Sequence, residues 1–286
     1  MINQLLLSAL PKLNYQSTRI VCGVAFAAVF FLQLPLWCLL LPTGISVGLI
    51  IYGSFNIQAN YFTHAYCSQN TTEKVIALTF DDGPHRQYTP QVLALLARYQ
   101  STATFFVIGK NIHGNEALLK QMIEAGHSIG NHSYTHANLV DFNSLQGFKN
   151  ELNQTTELVA QAINKRMQLF RPPYGVTTPT LVNALQQLNY YCIGWNIRSL
   201  DTTHDSEQTI SRRVQTQLKP GAIILLHDTS HKSIQVLENI LAFASVKGYR
   251  MVSVEQLLNL NAYVESSLPK TDFDHHGEEA FIQVME

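Results

Sequence analysis

The chain has 286 residues and a formal net charge of -1, from 19 Lys and Arg against 20 Asp and Glu. Hydrophobic residues make up 46% of it and charged residues 14%, which excludes an intrinsically disordered chain. The balanced charge argues against a nucleic-acid partner, because proteins of that class usually carry a basic patch or stripe. Four Cys in this length exclude a disulfide-dense scaffold, and whether Cys67 pairs with Cys192 stays open.

The N-terminal part of the chain is apolar and uncharged. Residues 20–72 contain no Asp, Glu, Lys or Arg, and residues 20–41 form an apolar run long enough to cross a membrane. A second apolar stretch at 45–52 allows either one span or a helical hairpin. A cleaved signal peptide is disfavoured because its apolar region is shorter and ends at a small-residue cleavage site. A buried helix is the remaining alternative.

The charges that precede the apolar run predict its orientation in a membrane. Lys12 and Arg19 precede the run, so the positive-inside rule places residues 1–19 in the cytoplasm. We predict a transmembrane anchor over 20–54 and a linker over 55–72. One span would put the rest of the chain on the extracytoplasmic side of the cell membrane, and we predict this orientation. Two spans would return the rest of the chain to the cytoplasm.

The chain from residue 73 onward alternates short apolar runs with amphipathic segments. Strands are predicted at residues 75–80, 102–109, 127–130, 169–171, 190–197, 222–228 and 249–254. Helices are predicted at residues 90–99, 116–125, 145–163, 178–188, 207–218, 234–244 and 254–260. The strands are continuous apolar runs, as in parallel sheets that are buried on both faces. This alternation predicts an α/β fold with a closed or partly closed parallel barrel over 73–262, followed by a polar tail at 263–286.

Polar residues recur at or just after the ends of the predicted strands. They are Asp81 and Asp82, His132, Arg171, Asp201 and His227. In β/α barrels the active site forms at the C-terminal ends of the strands, so these side chains are expected to meet at one rim.

Residue types and spacings indicate chemistry at this rim. His132 and His136 are four residues apart, which would place both imidazoles on one face of a helical turn, suited to zinc or a related metal; two solvated His are the alternative. Of the adjacent carboxylates, Asp82 could bind the cation and Asp81 act as a base, although an Asx-turn before a helix fits the same residues. His227 ends an apolar strand and could be either a general acid or a buried core histidine.

Five segments, taken together, resemble the polysaccharide deacetylase family, which has the NodB-homology domain and is also known as carbohydrate esterase family 4. They are TFDDGP at 79–84, HSYTH at 132–136, RPPYG at 171–175, WNIRSLD at 195–201 and LLHD at 225–228. The segments occur in the order of the family's five motifs, and the resemblance covers about residues 73–260.

The resemblance implies a distorted (β/α)7 barrel that removes acetyl groups from N-acetylated sugars with a divalent metal. The substrate would be a peptidoglycan or chitin-like glycan. Carried over residue by residue, the metal ligands would be Asp82, His132 and His136, with Zn²⁺ as the expected ion and Co²⁺ or another ion as alternatives. Asp81 would be the general base and His227 the general acid.

The resemblance also implies roles for the residues around that centre. Arg171 would pair with the base, and Asp201 would tune the acid. The backbone N–H of Tyr174 would help to hold the oxyanion, and Trp195 and Leu225 would form the walls of the acetate pocket.

The fourth motif departs from the family pattern. Asn196 follows the Trp where many relatives have Asp, and Thr202 stands where a second Trp is common. The sequence therefore does not define the shape of that wall.

Three functions other than N-deacetylation are also compatible with the sequence. They are an O-acetyl esterase on xylan-type polysaccharide, a deacetylase of a lipid-linked sugar, and a non-catalytic glycan-binding domain. No obligate protein partner is predicted.

Overall fold

A computed structural model describes residues 14–138 and 143–265. Residues 1–13 of the predicted cytoplasmic N-terminus (1–19) and residues 266–286 of the predicted polar tail (263–286) lie outside the described residues. The four cysteines are free thiols, including Cys67 and Cys192.

The chain begins, where it is described, with two apolar helices that pack side by side. Helix α1 is Tyr15–Phe31 and helix α2 is Leu40–Phe55, with a 3-10 turn at Leu36–Leu39 leading into α2. Within the described part of the chain, one continuous helical stretch, Leu36–Phe55, is long and apolar enough to cross a membrane by length and composition. With α1 it forms a helical hairpin, which the sequence left as an alternative to a single span.

The body of the chain is built on one curled sheet in which every strand pairing is parallel. Its strands are β1 Ala65–Tyr66, β2 Val75–Asp81, β3 Thr104–Val107, β4 Ser128–Asn131, β6 Leu169–Phe170, β7 Tyr191–Ile193, β8 Ile197–Arg198, β9 Ile223–His227 and β10 Arg250–Val252. A separate antiparallel pair joins β5 Lys165–Met167 to β11 Tyr263–Glu265. The order across the sheet is β1-β7-β6-β4-β3-β2-β9-β8, and β10 lies beside the first half of β2.

Helices connect these strands and cover the sheet through an apolar core. They are α3 Thr89–Arg98, α4 Glu116–Glu124, α5 Leu145–Ile163, α6 Pro179–Gln187, α7 Glu207–Gln217, α8 His231–Val246 and α9 Val254–Leu258. All seven residues of β2 are buried, as expected for a central strand covered on both faces. The segment after β1 runs to the start of β9, where the Gln69 N–H donates to the Gly221 carbonyl at 2.8 Å. The predicted barrel-like α/β fold is therefore present as a curled parallel sheet.

Two parts of the sheet differ from the sequence prediction. The predicted strand at 190–197 divides into β7 and β8, because the carbonyls of Ile193 and Gly194 accept hydrogen bonds from the Arg171 side chain. Strand β1 lies in the predicted linker but pairs with β7, with Ala65 opposite Cys192. A two-residue strand gives too short a pattern to be recognised in the sequence.

His127, at the start of β4, gives a testable pH dependence of stability. Its side chain is buried, its Nδ1 accepts the Ala103 N–H at 3.1 Å, and burial lowers its pKa from 6.5 to about 4. The unfolded chain therefore binds this proton at a higher pH than the folded chain does. The stability associated with the neutral imidazole is present above pH 6.5 and is lost as the pH falls towards 4.

We expect His127→Asn to remove that part of the pH dependence, since an amide oxygen can accept the same hydrogen bond without titrating. Between pH 6.5 and 4, the wild type should lose up to about 1.4 kcal/mol of stability per pH unit relative to the variant. Urea unfolding of both proteins in detergent at several pH values measures the difference in slope. Parallel curves would show that His127 does not titrate in this range.

Candidate active site

The C-terminal ends of the parallel strands bring the predicted residues to one rim. They lie at the ends of β2, β4, β6, β8 and β9 or in the loops that follow the strands. They are Asp81, Asp82, His132, His136, Arg171, Tyr174, Trp195, Asp201, Leu225 and His227. The structure therefore brings together all ten residues selected from the sequence motifs.

Three of these side chains form a compact cluster suited to a cation. The Oδ1 atom of Asp82 lies 3.5 Å from His132 Nε2 and 3.4 Å from His136 Nε2. One ligand atom from each residue lies within 4.8 Å of the other two. Asp82 Oδ1 is buried and has no hydrogen-bond partner within the described residues. A buried acceptor facing two imidazole nitrogens fits a divalent metal, which would satisfy all three groups.

The sequence predicted that a helical turn brings the imidazoles of His132 and His136 together, and that prediction is wrong. Residues 132–136 form a loop in which Ser133 and His136 have positive φ angles of 65° and 49°. His132 Nδ1 lies 2.8 Å from the Arg171 carbonyl, which turns its Nε2 towards the cluster. Burial lowers the pKa of His132 to about 3, so its ring is neutral near pH 7, the form that binds metals.

Glu151 on α5 holds this loop in place, although no sequence motif indicated it. Its Oε2 accepts the backbone N–H groups of Tyr134 and Thr135 at 2.9 and 2.8 Å, and its Oε1 accepts the Thr135 hydroxyl at 2.9 Å. The hydrogen bonds cross from a helix to a loop 16 or 17 residues away in sequence, so no local pattern signals them.

We expect Glu151→Ala to weaken metal binding by about 10–100-fold, the usual cost of removing a group that orients a ligand. Competition with a chromophoric chelator measures the affinity for Zn²⁺. Glu157→Ala is the matched control, since Glu157 is an exposed carboxylate on the same helix. Equal affinities in the two variants would show that the loop keeps its shape without Glu151.

A buried ion pair lies beside the cluster. Arg171 is fully buried, and its Nη1 donates to Asp81 Oδ1 at 2.8 Å and to Thr79 Oγ1 at 2.7 Å. Its Nη2 donates to the Gly194 carbonyl at 2.8 Å. Burial raises the pKa of Asp81 above its ordinary value, while the Arg171 charge opposes that rise. The carboxylate is thus fixed in position and made more basic than a solvated Asp.

A histidine paired with a buried carboxylate also lies beside the cluster. His227 Nδ1 lies 2.8 Å from Asp201 Oδ1, and the His227 N–H donates to Asp201 Oδ2 at 2.9 Å. Burial lowers the pKa of His227, but the hydrogen bond and charge of Asp201 outweigh it and raise the pKa to about 9. His227 Nε2 faces the cluster, 3.8 Å from Asp82 Oδ2. The pair can therefore hold a proton at the rim near neutral pH.

A cavity of about 250 Å³ opens over these groups. Trp195, Leu225 and Tyr174 line it together with four residues that were not predicted as site residues, Gly175, Arg198, Leu200 and Thr202. Gly175 ends the third motif, Arg198 and Leu200 lie inside the fourth, and Thr202 directly follows it, so closeness to a motif was the signal that could have found them.

Of the two residues that depart from the family pattern at the fourth motif, only one lines the cavity. Asn196 does not line the cavity: its Oδ1 accepts the Ile223 N–H at 2.9 Å, which ties β8 to β9. Thr202 does line it and is exposed at its edge. The absence of a second Trp at this position therefore leaves one side of the cavity open.

The fold and the rim define a class of protein: a β/α-barrel hydrolase with a candidate metal site. The family model described as Polysaccharide deacetylase matches residues 68–193. A peptidoglycan-N-acetylglucosamine deacetylase of Bacillus cereus is 35% identical over 191 residues, covering 65% of this chain and 89% of that protein. The solved structure of peptidoglycan deacetylase PdaC from Bacillus subtilis has a TM-score of 0.62 and 34% identity, covering 65% of this chain and 91% of that one.

The chain therefore belongs to the polysaccharide deacetylase family, as its motifs indicate. It is a hydrolase of carbon–nitrogen bonds other than peptide bonds, of the polysaccharide N-deacetylase class. It is also similar to a bifunctional xylanase/deacetylase of Pseudobutyrivibrio xylanivorans, at 32% identity over 229 residues. That match covers 78% of this chain and 36% of the larger protein.

Proposed function

We propose that this protein is a membrane-anchored, metal-dependent deacetylase that hydrolyses the acetamide of N-acetylated sugars in peptidoglycan or chitin-like glycans. One observation carries the proposal: around one cavity, the candidate cation site lies beside a carboxylate that can accept a proton and a histidine that can donate one. The Bacillus relatives named for peptidoglycan support this choice of glycan.

Asp82, His132 and His136 would hold the metal, with Zn²⁺ as the proposed ion because a two-His, one-carboxylate set suits it. A divalent ion bound there would act as a Lewis acid that polarises the acetamide carbonyl and acidifies water beside it. Asp81 lies next to these ligands, so it can take the proton of an attacking water as general base. Arg171 keeps the Asp81 carboxylate pointed at the site.

His227 completes the reaction by donating a proton to the sugar nitrogen as the C–N bond breaks. An amine is a poor leaving group unless it is protonated, and Asp201 keeps His227 charged for this step. The backbone N–H of Tyr174 would stabilise the oxyanion of the tetrahedral intermediate, and Trp195 and Leu225 would enclose the acetyl methyl group. The products are acetate and a sugar with a free amine.

The two N-terminal helices would anchor this enzyme in the cell membrane. We propose the boundaries predicted from the sequence, with an anchor over 20–54, a connecting segment over 55–72, a deacetylase domain over 73–262 and a tail over 263–286. The predicted extracytoplasmic position of the domain suits a cell-wall substrate. The structure has these helices as a hairpin, and a hairpin inserted in the bilayer places Tyr15 on the same side of the membrane as the domain. The extracytoplasmic position that we propose therefore requires Tyr15 to be extracytoplasmic as well, against the positive-inside rule.

An O-acetyl esterase acting on xylan-type polysaccharide is a second candidate function. The similarity to a xylanase/deacetylase favours it, because the same centre can hydrolyse an ester. An alkoxide leaves more readily than an amine, so the proton from His227 would matter less. Acetylated xylan and N-acetylglucosamine oligomers, compared side by side, separate the two functions.

The decisive experiment measures acetate released from N-acetylglucosamine oligomers by the metal-stripped full chain in detergent. We expect no release without metal and restored release when Zn²⁺ is added. Asp82→Ala should lose both Zn²⁺ binding and activity, because it removes one of the three ligands. Bound Zn²⁺ without acetate release from any N-acetylated substrate would contradict the proposed activity.

A further inference from the structure

The hairpin of α1 and α2 presents an apolar surface that the rest of the described chain does not cover. At its tip Phe30, Phe31, Leu36 and Trp37 are 70–79% exposed. Leu36–Phe55 has 20 residues with a mean hydropathy of 1.8, and a helix of that length spans about 30 Å, the thickness of a bilayer core. From residue 20 to residue 55 the hairpin carries no charge, and Arg19 lies near its open end, so this large apolar surface fits the hydrocarbon of a lipid bilayer.

The hairpin is antiparallel, and at its open end α1 meets the connecting segment 55–72 while α2 meets the catalytic domain. Cys22 Sγ on α1 lies 2.6 Å from Ser46 Oγ on α2, midway along the pair. At the open end the Tyr15 N–H donates to the Tyr61 carbonyl, and the Tyr61 hydroxyl donates to Thr18 Oγ1, both at 2.9 Å. A bilayer that contains the hairpin therefore has the catalytic domain directly at its surface, without a flexible linker.

The open end of the hairpin also packs on one wall of the active-site cavity. The Thr177 N–H donates to the Ser54 carbonyl at 3.0 Å, and the Thr177 hydroxyl donates to the Gly53 carbonyl at 3.3 Å. Thr177 lies three residues after Tyr174, which lines the cavity. Behind the same wall, Ile57 is buried in one apolar cluster with Trp195. The end of α2 and the Tyr174–Trp195 wall thus form one packed unit.

The exposed side chains around this wall suit a lipid surface and a phosphorylated ligand. Tyr52, Phe55 and Tyr174 are 57%, 75% and 48% exposed, and aromatic residues collect where proteins meet the headgroup region. Arg198 lines the cavity with its guanidinium 5.7 Å from the Trp195 ring centre, and it makes no ion pair with any Asp or Glu in the described ranges. A guanidinium in this position can bind a phosphate.

We propose that the substrate is an N-acetylated saccharide joined through phosphate to a membrane lipid and presented to the cavity from the bilayer surface. The inference rests on the deacetylase function proposed above and specifies its substrate. The lipid would remain in the bilayer beside the hairpin, the phosphate would meet Arg198, and the acetamide would enter the cavity. Water cleaves the C–N bond as before, so acetate leaves and the lipid-linked sugar keeps a free amine.

The test uses the full chain, loaded with Zn²⁺ and reconstituted into phosphatidylcholine–phosphatidylglycerol vesicles. Acetate release is compared for N-acetylglucosamine linked by diphosphate to a long prenyl chain, the uridine-diphosphate sugar, and N-acetylglucosamine oligomers. We expect kcat/KM for the prenyl-linked sugar to exceed that for each soluble substrate by at least 100-fold. Equal or faster turnover of the oligomers would overturn the lipid-linked substrate and leave the deacetylase function intact.

Two further outcomes are distinguishable from that one. A preference for the uridine-diphosphate sugar would assign the phosphate contact to a soluble nucleotide and overturn the lipid. Failure on all three substrates with Zn²⁺ bound would count against the deacetylase function itself.

Substitutions test the contact between Arg198 and the phosphate, and flotation with vesicles tests the contact between the hairpin and lipid. Arg198→Gln should reduce the preference for the prenyl-linked sugar over the oligomers by at least 10-fold, whereas Arg212→Gln, at an exposed position on α7, should preserve it. The full chain should float with vesicles at high salt. Recovery as a dimer or larger assembly that leaves the vesicles would mean that protein covers the hairpin, and would overturn the inference.

Discussion

Asp81→Asn is expected to lower kcat/KM for acetate release by about 10²–10⁴-fold while Zn²⁺ binding is retained. The amide has nearly the same shape as the carboxylate, and its oxygen can still accept the 2.8 Å hydrogen bond from Arg171. It cannot take a proton from the attacking water. Steady-state kinetics on N-acetylglucosamine oligomers and metal analysis of the purified variant measure the two effects separately.

Thr79→Val provides the matched control for this prediction. Thr79 also accepts from Arg171, at 2.7 Å, so its replacement disturbs the same buried guanidinium but leaves the base in place. We expect a much smaller loss of activity in Thr79→Val than in Asp81→Asn. Similar losses in both would show that Asp81 serves the structure of the ion pair instead of accepting a proton. Thermal unfolding of each variant accounts for the cost of an unbalanced buried charge.

The main strands were predictable because their pattern is local. Residues 75–80 and 222–228 are continuous apolar runs, and they become the neighbouring central strands β2 and β9. The break between β7 and β8 was not predictable, since it depends on hydrogen bonds to Arg171, more than 20 residues away. The pairing of β5 with β11 likewise depends on a contact between distant segments.

The site residues were predictable for a different reason, because motif order and strand ends both point to the same rim. The sequence did not reveal how those residues are held. His132 and His136 converge through a loop with two positive φ angles, where spacing alone predicted a helical turn. Glu151 and Asn131, which fix that loop through backbone N–H groups, belong to no chemical motif.

Composition alone could not predict how the N-terminal segment is arranged. Hydropathy predicts apolar helices, but one span and a hairpin have the same composition, and the choice sets the side of the membrane on which the domain lies. The hairpin depends on contacts such as Cys22 with Ser46, and its position against the cavity depends on Thr177. Neither contact has a signature in the local sequence.

His227→Ala is expected to lower kcat/KM for N-acetylated sugars by about 10²–10⁴-fold and to affect activated acetate esters much less. The sugar amine must be protonated as it leaves, whereas a nitrophenolate leaves without a proton. The contrast between amide and aryl ester in the same variant therefore isolates proton donation from binding. Zn²⁺ content should not change, since His227 is outside the proposed ligand set.

Asp201→Asn gives a graded version of the same test. It keeps a side-chain oxygen against His227 Nδ1 but removes the charge that favours the imidazolium, so its loss on the amide should lie between wild type and His227→Ala. Two results would contradict the assignment of His227 as general acid: equal losses on amide and ester, or loss of Zn²⁺ from His227→Ala. The first would assign His227 to substrate binding, and the second to the metal.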